Sequence, residues 1–123
     1  MIRQLLFAQP GSAAESIRSW WYLRLSAAAL LPLVLWFIYD LSTLDSLEYE
    51  VVRDWLATPS TAILFILLIP VLFYHSQSGM TEVIEDYLAD GKQKTAAIIL
   101  VRFLAALCAF ASILAVMLVC LGL

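Results

Sequence analysis

Three long apolar segments constrain this chain more than any other feature of its sequence. They cover residues 21–41, 59–79 and 95–123, and each has the roughly 20 residues that a helix needs to cross the hydrocarbon core of a bilayer. Within that core, every backbone amide and carbonyl must find its hydrogen bond inside the protein, and a helix provides these bonds within one segment. The sequence therefore predicts an all-α fold with three transmembrane helices.

The composition excludes several classes of protein. Of the 123 residues, 63% are hydrophobic and 14% are charged, whereas a soluble domain is about half apolar and about a quarter charged. The seven basic residues form no cluster and the net charge is -3, so the chain has no electrostatic footprint for nucleic acid. A soluble enzyme, a disordered tail and a disulfide-rich secreted module are excluded by the same balance of apolar and charged residues.

Two polar connectors separate the apolar segments, and neither is long enough to form a domain. The acidic connector, residues 42–58, is predicted to be a solvated loop on the outer side of the membrane, and the second connector covers residues 81–94. Residues 1–20 lack an apolar core followed by a small-residue cleavage site, so they are not expected to be a signal peptide. We predict an N-terminal segment, residues 1–20, followed by one transmembrane domain, residues 21–123.

The distribution of basic residues predicts the orientation of the chain. Arg3, Arg18 and Arg24 lie in or next to the N-terminal segment, and Lys92 and Lys94 lie in the second connector. The first connector contains one basic residue among four acidic ones. Because loops on the cytoplasmic side carry an excess of lysine and arginine, the N-terminus and the second connector should face the cytoplasm or the mitochondrial matrix.

The only histidine of the chain, His75, lies in the inner half of the second segment. On a continuous helix, Gly79 and Asp86 would share a stripe with it, and Asp86 would lie about 16 Å nearer the inner surface, next to Tyr87. Imidazole ligates haem iron, a glycine lets a flat macrocycle or a helix approach, and a phenol can donate to a quinone carbonyl. These residues leave two alternatives open. His75 could be hydrogen-bonded to a neighbouring helix, and Asp86 and Tyr87 could simply end the helix at the membrane surface.

Two groups of residues at the inner ends of the first two segments have a distinctive spacing. They are Arg24-x-Ser26-Ala27 and, 51 residues after Arg24, His75-x3-Gly79-x3-Val83-x2-Asp86-Tyr87. In this spacing, in its three segments and in its length, the chain resembles the small hydrophobic anchor subunit of succinate dehydrogenase, respiratory complex II. The resemblance covers most of the chain, from about residue 20 to the end of the third segment.

The resemblance implies a role for four residues. His75 would be one of two axial ligands of a b-type haem, and the second ligand would come from the large cytochrome b subunit. Tyr87 would hydrogen-bond ubiquinone, Asp86 would support that quinone site, and Arg24 would lie near the haem propionates. The single histidine agrees with a shared haem, because one copy of the chain cannot supply two imidazole ligands. The polar residues that follow His75 depart from the family pattern; they are Ser76, Gln77 and Ser78.

The implied partners are the large cytochrome b subunit, an iron–sulfur subunit, a flavoprotein subunit and the lipid membrane. The chain itself has no flavin-binding fold and no cluster of cysteines, so it would not oxidise succinate alone. The expected location is the bacterial inner membrane, with the mitochondrial inner membrane as the alternative, because no arginine-rich presequence is evident. The sequence leaves two other functions open: a fumarate reductase anchor that uses menaquinol, and a structural membrane protein without a redox role.

Overall fold

Four helices and no strand make up residues 13–123, the part of the chain that this computed structural model describes. The helices are α1 (Ala13–Ser42), α2 (Tyr49–Ala57), α3 (Pro59–Tyr87) and α4 (Lys92–Cys120). Residues 17–42 of α1 and the whole of α3 and α4 are long and apolar enough to cross a membrane. The prediction of an all-α fold with three membrane-spanning helices is therefore confirmed.

The second connector is shorter than the sequence suggested. Helix α3 continues to Tyr87 and α4 begins at Lys92, so only residues 88–91 of the predicted connector 81–94 form the turn. Apolar side chains mark where a helix leaves the bilayer, whereas backbone hydrogen bonds decide where it ends, and these bonds continue through polar residues. Gly91 has φ 147°, a region that L side chains rarely adopt, and this glycine allows the tight reversal into α4.

The two ends of the transmembrane domain also differ from the prediction. Helix α4 ends at Cys120, three residues before the predicted end of the third segment. At the other end, residues 13–20 of the predicted N-terminal segment are helical and belong to α1. The rest of that segment, residues 1–12, lies outside the described residues.

The acidic connector contains a helix that the sequence analysis did not predict. The expectation of a solvated loop was wrong for α2, which has its apolar residues Val51, Val52 and Trp55 on one half-buried side. The charged residues of this helix are exposed: Glu50, Arg53 and Asp54. This pattern is that of a short amphipathic helix, and its burial against the long helices provides the stability that nine residues lack alone.

Helix α3 is the central element of the packing. It contacts both α1 and α4, whereas α1 and α4 do not approach each other within residues 13–123. The buried apolar cluster between α3 and α4 is small and is built on Ala62, Ile69 and Val116. Most large apolar side chains of α1 and α4 are exposed, and in a membrane such faces are covered by lipid or by another chain.

An aromatic cluster joins α1, α2 and α3 at the end of the molecule that carries the acidic connector. Trp55 of α2 packs against Phe65 of α3 and Phe37 of α1, with ring centroids 5.2 and 6.2 Å apart. Trp36 also contacts Phe65, at 5.6 Å. The indole Nε1 of Trp55 donates a hydrogen bond of 2.6 Å to Oδ2 of Asp40. This contact holds α2 against the end of α1 and satisfies a half-buried carboxylate.

Replacing Trp55 by phenylalanine is expected to lower the free energy of unfolding by about 1–3 kcal/mol, because the Asp40 carboxylate loses its donor, although an aromatic ring still contacts Phe37 and Phe65. Thermal unfolding of the purified protein complex in mild detergent measures this loss as a lower melting temperature. Tyr49→Phe is the matched control, since Tyr49 lies on the same helix and is 74% exposed. Equal melting temperatures for Trp55→Phe and the control would contradict the prediction.

Candidate functional site

The candidate stripe lies on one uninterrupted helix. Helix α3 runs without a break from His75 to Tyr87, so the condition on which the stripe depended is met. At 100° per residue, His75, Gly79 and Asp86 lie within about 40° of one another around the helix axis. His75 is half-buried, whereas Asp86 is exposed. The stripe therefore runs from a half-buried position on α3 to the exposed end of this helix at Tyr87.

His75 is hydrogen-bonded to the neighbouring helix. Its Nδ1 lies 3.0 Å from Oγ of Ser26, a residue of α1 that is only 8% exposed. The same Oγ donates a hydrogen bond of 2.7 Å to the carbonyl oxygen of Leu23. The other ring nitrogen, Nε2, has no hydrogen-bond partner among the described residues. The alternative that His75 bonds to a neighbouring helix is thus confirmed, and it occupies only one of the two ring nitrogens.

Open space lies next to the stripe at Gly79. A Cβ atom built on this glycine would meet no other atom of the described chain within 4 Å. Gly79 is one helical turn from His75 and faces nearly the same direction. Neither α1 nor α4 fills this position, so a flat group or a helix of another chain can come close to the backbone there.

The polar residues after His75 mostly bond to one another. The side-chain amide of Gln77 donates to Oγ of Ser78 at 3.0 Å, and Oγ1 of Thr81 donates to the carbonyl oxygen of Gln77 at 2.7 Å. Among the described residues, Oε1 of Gln77 is a buried acceptor without a donor. The Gln77, Ser78 and Thr81 side chains are therefore bonded within α3 itself.

Asp86 and Tyr87 occupy the last turn of α3. Both are exposed, and Tyr87 has an exposed fraction of 84%. The Tyr87 hydroxyl forms no hydrogen bond within residues 13–123, and none joins it to Asp86. Successive helical residues point about 100° apart, so adjacency in sequence does not bring the two polar groups together. The structure places both residues at the same end of the helix, with their polar groups directed outwards.

A lysine of α4 holds this end of α3 in place. Nζ of Lys94 donates to the carbonyl oxygen of Glu85 at 3.2 Å and to Oδ1 of Asp90 at 3.0 Å. The last carbonyls of a helix lack partners within the helix, and a cation near them is favourable. In the sequence Lys94 indicates only the orientation of the chain, whereas in the structure it positions the turn that carries Asp86 and Tyr87.

Arg24 lies on a different side of α1 from Ser26. The two residues are two positions apart, which separates them by about 160° around the helix. Arg24 is exposed, and its Cζ lies 4.5 Å from the ring centroid of Trp20, which is a cation–π geometry. The structure brings Ser26 to His75 and directs Arg24 away from the α1–α3 contact. Its guanidinium is therefore open to groups outside this chain.

An apolar groove between α1 and α3 opens beside the Ser26–His75 contact. It has a volume of about 520 Å³, and its walls include Tyr22, Ala29, Pro70 and Tyr74 together with Ser26. The sequence does not predict this groove, because its walls come from two helices and the rotation of one relative to the other is set by packing. The groove leaves free space next to the Ser26 side chain.

The sequence of this chain is similar to one protein family and to several of its relatives. The family model for the succinate dehydrogenase/fumarate reductase transmembrane subunit matches residues 5–120. Three similar curated proteins are each named succinate dehydrogenase hydrophobic membrane anchor subunit. The one from Rickettsia bellii is 29% identical over 106 residues, which are 86% of this chain and 85% of that protein. The one from Rickettsia conorii is 28% identical over 93 residues, 75% of this chain and 74% of that protein.

The third relative extends the similarity further along the chain. The protein from Rickettsia typhi is 25% identical over 114 residues, which are 92% of this chain and 91% of that protein. No solved structure gives a significant match. The family match includes the whole of each of the four helices, and therefore every candidate site residue. This multi-pass membrane protein belongs to the succinate dehydrogenase/fumarate reductase transmembrane subunit family.

Proposed function

We propose that this chain anchors a succinate dehydrogenase in the membrane, ligates a b-type haem through His75 and forms part of the ubiquinone reduction site at the inner end of α3. One observation carries this proposal: a single stripe of α3 holds a half-buried imidazole, an open glycine and an exposed carboxylate. The family supports the role of anchor, and the names of the Rickettsia relatives favour succinate dehydrogenase.

The residues around His75 fit a haem. The imidazole is the usual proximal donor, its Nε2 has no partner among the described residues, and the space at Gly79 accepts a flat macrocycle. The chain has one histidine, so any second histidine that holds the haem would come from the large cytochrome b subunit. When bound, the haem supplies a one-electron redox centre. Arg24 would pair with a propionate, because its guanidinium is exposed and lies on a side of α1 that does not face α3.

Tyr87 would bind the quinone. A quinone takes up two electrons and two protons to become a quinol, and negative charge develops on its carbonyl oxygen as the electrons arrive. The Tyr87 hydroxyl is free to donate a hydrogen bond to that oxygen, and a donor placed in advance stabilises the charge without rearrangement. Lys94 keeps the last turn of α3 in position, and Asp86 supports the site with a carboxylate one residue earlier.

Other subunits would supply the groups that carry electrons from succinate to the quinone. The electrons would come from succinate through a flavoprotein subunit and an iron–sulfur subunit, which would dock at the inner end near Tyr87. The exposed apolar faces of α1 and α4 would be covered by the large cytochrome b subunit and by lipid. The bacterial relatives support the bacterial inner membrane as the location, with the N-terminus in the cytoplasm.

A reduced-minus-oxidised optical spectrum of the complex purified through this chain in mild detergent tests the proposal. The expected result is a b-type haem band together with co-purified flavoprotein and iron–sulfur subunits. A flat spectrum with those subunits present would contradict haem ligation by His75 and leave a haem-free anchor. A flat spectrum without them would indicate a structural membrane protein with no redox role.

The direction of electron flow is tested on the same preparation. The family includes fumarate reductase subunits as well as succinate dehydrogenase subunits. Extraction of the bound quinone should yield ubiquinone if the complex oxidises succinate. Recovery of menaquinone instead would favour the fumarate reductase alternative, in which electrons move from the quinol to fumarate.

A further inference from the structure

We propose that Ser26 is a positioning residue for His75: it holds the imidazole in the tautomer with hydrogen on Nδ1 and thereby presents the Nε2 lone pair as the ligating atom. This inference rests on the proposed haem ligation, since it concerns how the imidazole is prepared for the iron. It adds Ser26 of α1 to the residues that contact the imidazole, in a site whose proposed iron ligand lies on α3.

The directions of the two hydrogen bonds at Ser26 follow from the single hydrogen of its hydroxyl group. A serine hydroxyl has one hydrogen, and a backbone carbonyl oxygen can only accept. Oγ of Ser26 lies 2.7 Å from the carbonyl oxygen of Leu23, so the hydroxyl donates its hydrogen there. The same Oγ lies 3.0 Å from Nδ1 of His75 and must accept from it. Nδ1 therefore carries the hydrogen, and the lone pair of the neutral imidazole is on Nε2.

Burial in the membrane makes this arrangement persistent. Ser26 is 8% exposed, and the contact lies within two membrane-spanning helices. Breaking the bond would leave the Nδ1–H of His75 without a partner where no bulk water replaces it, which is costly. The ring thus has a fixed rotation as well as a fixed tautomer, because Nδ1 must stay directed towards α1.

The chain of hydrogen bonds also affects the donor strength of the ligand. It runs from His75 through Ser26 to the backbone carbonyl of Leu23, so the Nδ1–H points at an oxygen that is polarised by its own bond. An acceptor on the second ring nitrogen increases the basicity of a ligating histidine. A more basic imidazole favours ferric over ferrous iron. Loss of the Ser26 acceptor should therefore raise the midpoint potential of the haem and weaken its retention.

Two variants of nearly identical shape separate this role from packing. Ser26→Thr keeps the hydroxyl, and Ser26→Val replaces that hydroxyl with a methyl group in a side chain of the same shape. The groove beside Ser26 leaves space for the additional methyl group that both variants share. The measurements, made on the whole purified complex, are haem content, the haem midpoint potential from a redox titration and the electron paramagnetic resonance spectrum of the ferric haem.

Ser26→Thr is expected to keep the midpoint potential and the resonance spectrum of the unchanged protein. Ser26→Val is expected to raise the midpoint potential, alter the ferric spectrum and weaken haem retention by about 10–100-fold, as for other groups that orient metal ligands. If the valine variant fails to assemble, Ser26→Ala takes its place, because alanine removes the hydroxyl without adding volume.

The outcomes distinguish this inference from the function on which it rests. Equal potentials and spectra for the hydroxyl-bearing and hydroxyl-lacking variants, with haem present in both, would overturn the role of Ser26 and leave haem ligation intact. Absence of haem from the unchanged complex would overturn the ligation by His75 and this inference with it. A raised midpoint potential and an altered ferric spectrum, seen only in the variants without the hydroxyl, would support the inference.

Discussion

Replacing His75 by alanine is expected to abolish the low-spin b-type haem spectrum of the purified complex. The variant removes the only imidazole of the chain, so an iron that needs two axial ligands would lose one of them. Alanine has the highest helix propensity, so α3 should stay continuous through position 75. The measurement is the reduced-minus-oxidised spectrum, normalised to the amount of flavoprotein subunit that co-purifies.

Ser76→Ala is the matched control for this prediction. Ser76 is the next residue of the same helix, is exposed, and is assigned no role in the site. It should leave the spectrum unchanged. An unaltered haem band in the His75→Ala complex would show that the iron is held by other residues and would remove His75 from the site. Normalisation to the flavoprotein distinguishes loss of haem from failure of the subunits to assemble.

Replacing Tyr87 by phenylalanine is expected to lower quinone reduction by about 10²-fold, which is the usual effect of removing one donor that stabilises charge at an oxygen. The hydroxyl has no hydrogen-bond partner within residues 13–123, so its loss breaks no bond within the described part of the chain. Haem content and assembly should therefore stay the same. The measurement compares electron transfer from succinate to ubiquinone with electron transfer from succinate to a soluble dye that bypasses the membrane subunits.

Tyr39→Phe is the control for Tyr87→Phe. Tyr39 also has an exposed side chain, at 71%, but lies at the outer end of α1, far from the proposed quinone site. It should not change either activity. Quinone reduction by the Tyr87→Phe complex at the rate of the unchanged complex would refute the assignment of Tyr87. A parallel loss of dye reduction would place the defect in the soluble subunits instead.

The positions of the membrane helices were predictable because each is an independent unit in the bilayer. A segment of some 20 apolar residues must be helical there whatever its neighbours do. The ends of the helices were less predictable, since α3 extends eight residues beyond its apolar segment to Tyr87. Helix α2 was missed because it has only nine residues within an acidic connector, and its stability depends on Trp55 packing between α1 and α3.

The stripe on α3 was predictable for the same reason. His75, Gly79 and Asp86 belong to one helix, so their relative directions follow from 3.6 residues per turn. The bond between Ser26 and His75 was not predictable, although both residues belong to the recognised pattern. It requires α1 and α3 to pack with Ser26 facing inwards, and helical geometry within either segment does not determine that rotation.

By itself, the sequence determined the number of membrane spans, the all-α class and the alignment of the α3 stripe, because each depends on backbone bonding within a single segment. Only the tertiary structure decided that Ser26 lies within hydrogen-bond distance of His75, that Arg24 is directed away from α3 and that Lys94 holds the turn carrying Tyr87. The Ser26–His75 and Lys94–Glu85 contacts join different helices, and the direction of Arg24 is defined relative to α3. Their geometry depends on the rotation and separation at which the helices pack, and small differences in side-chain fit set both.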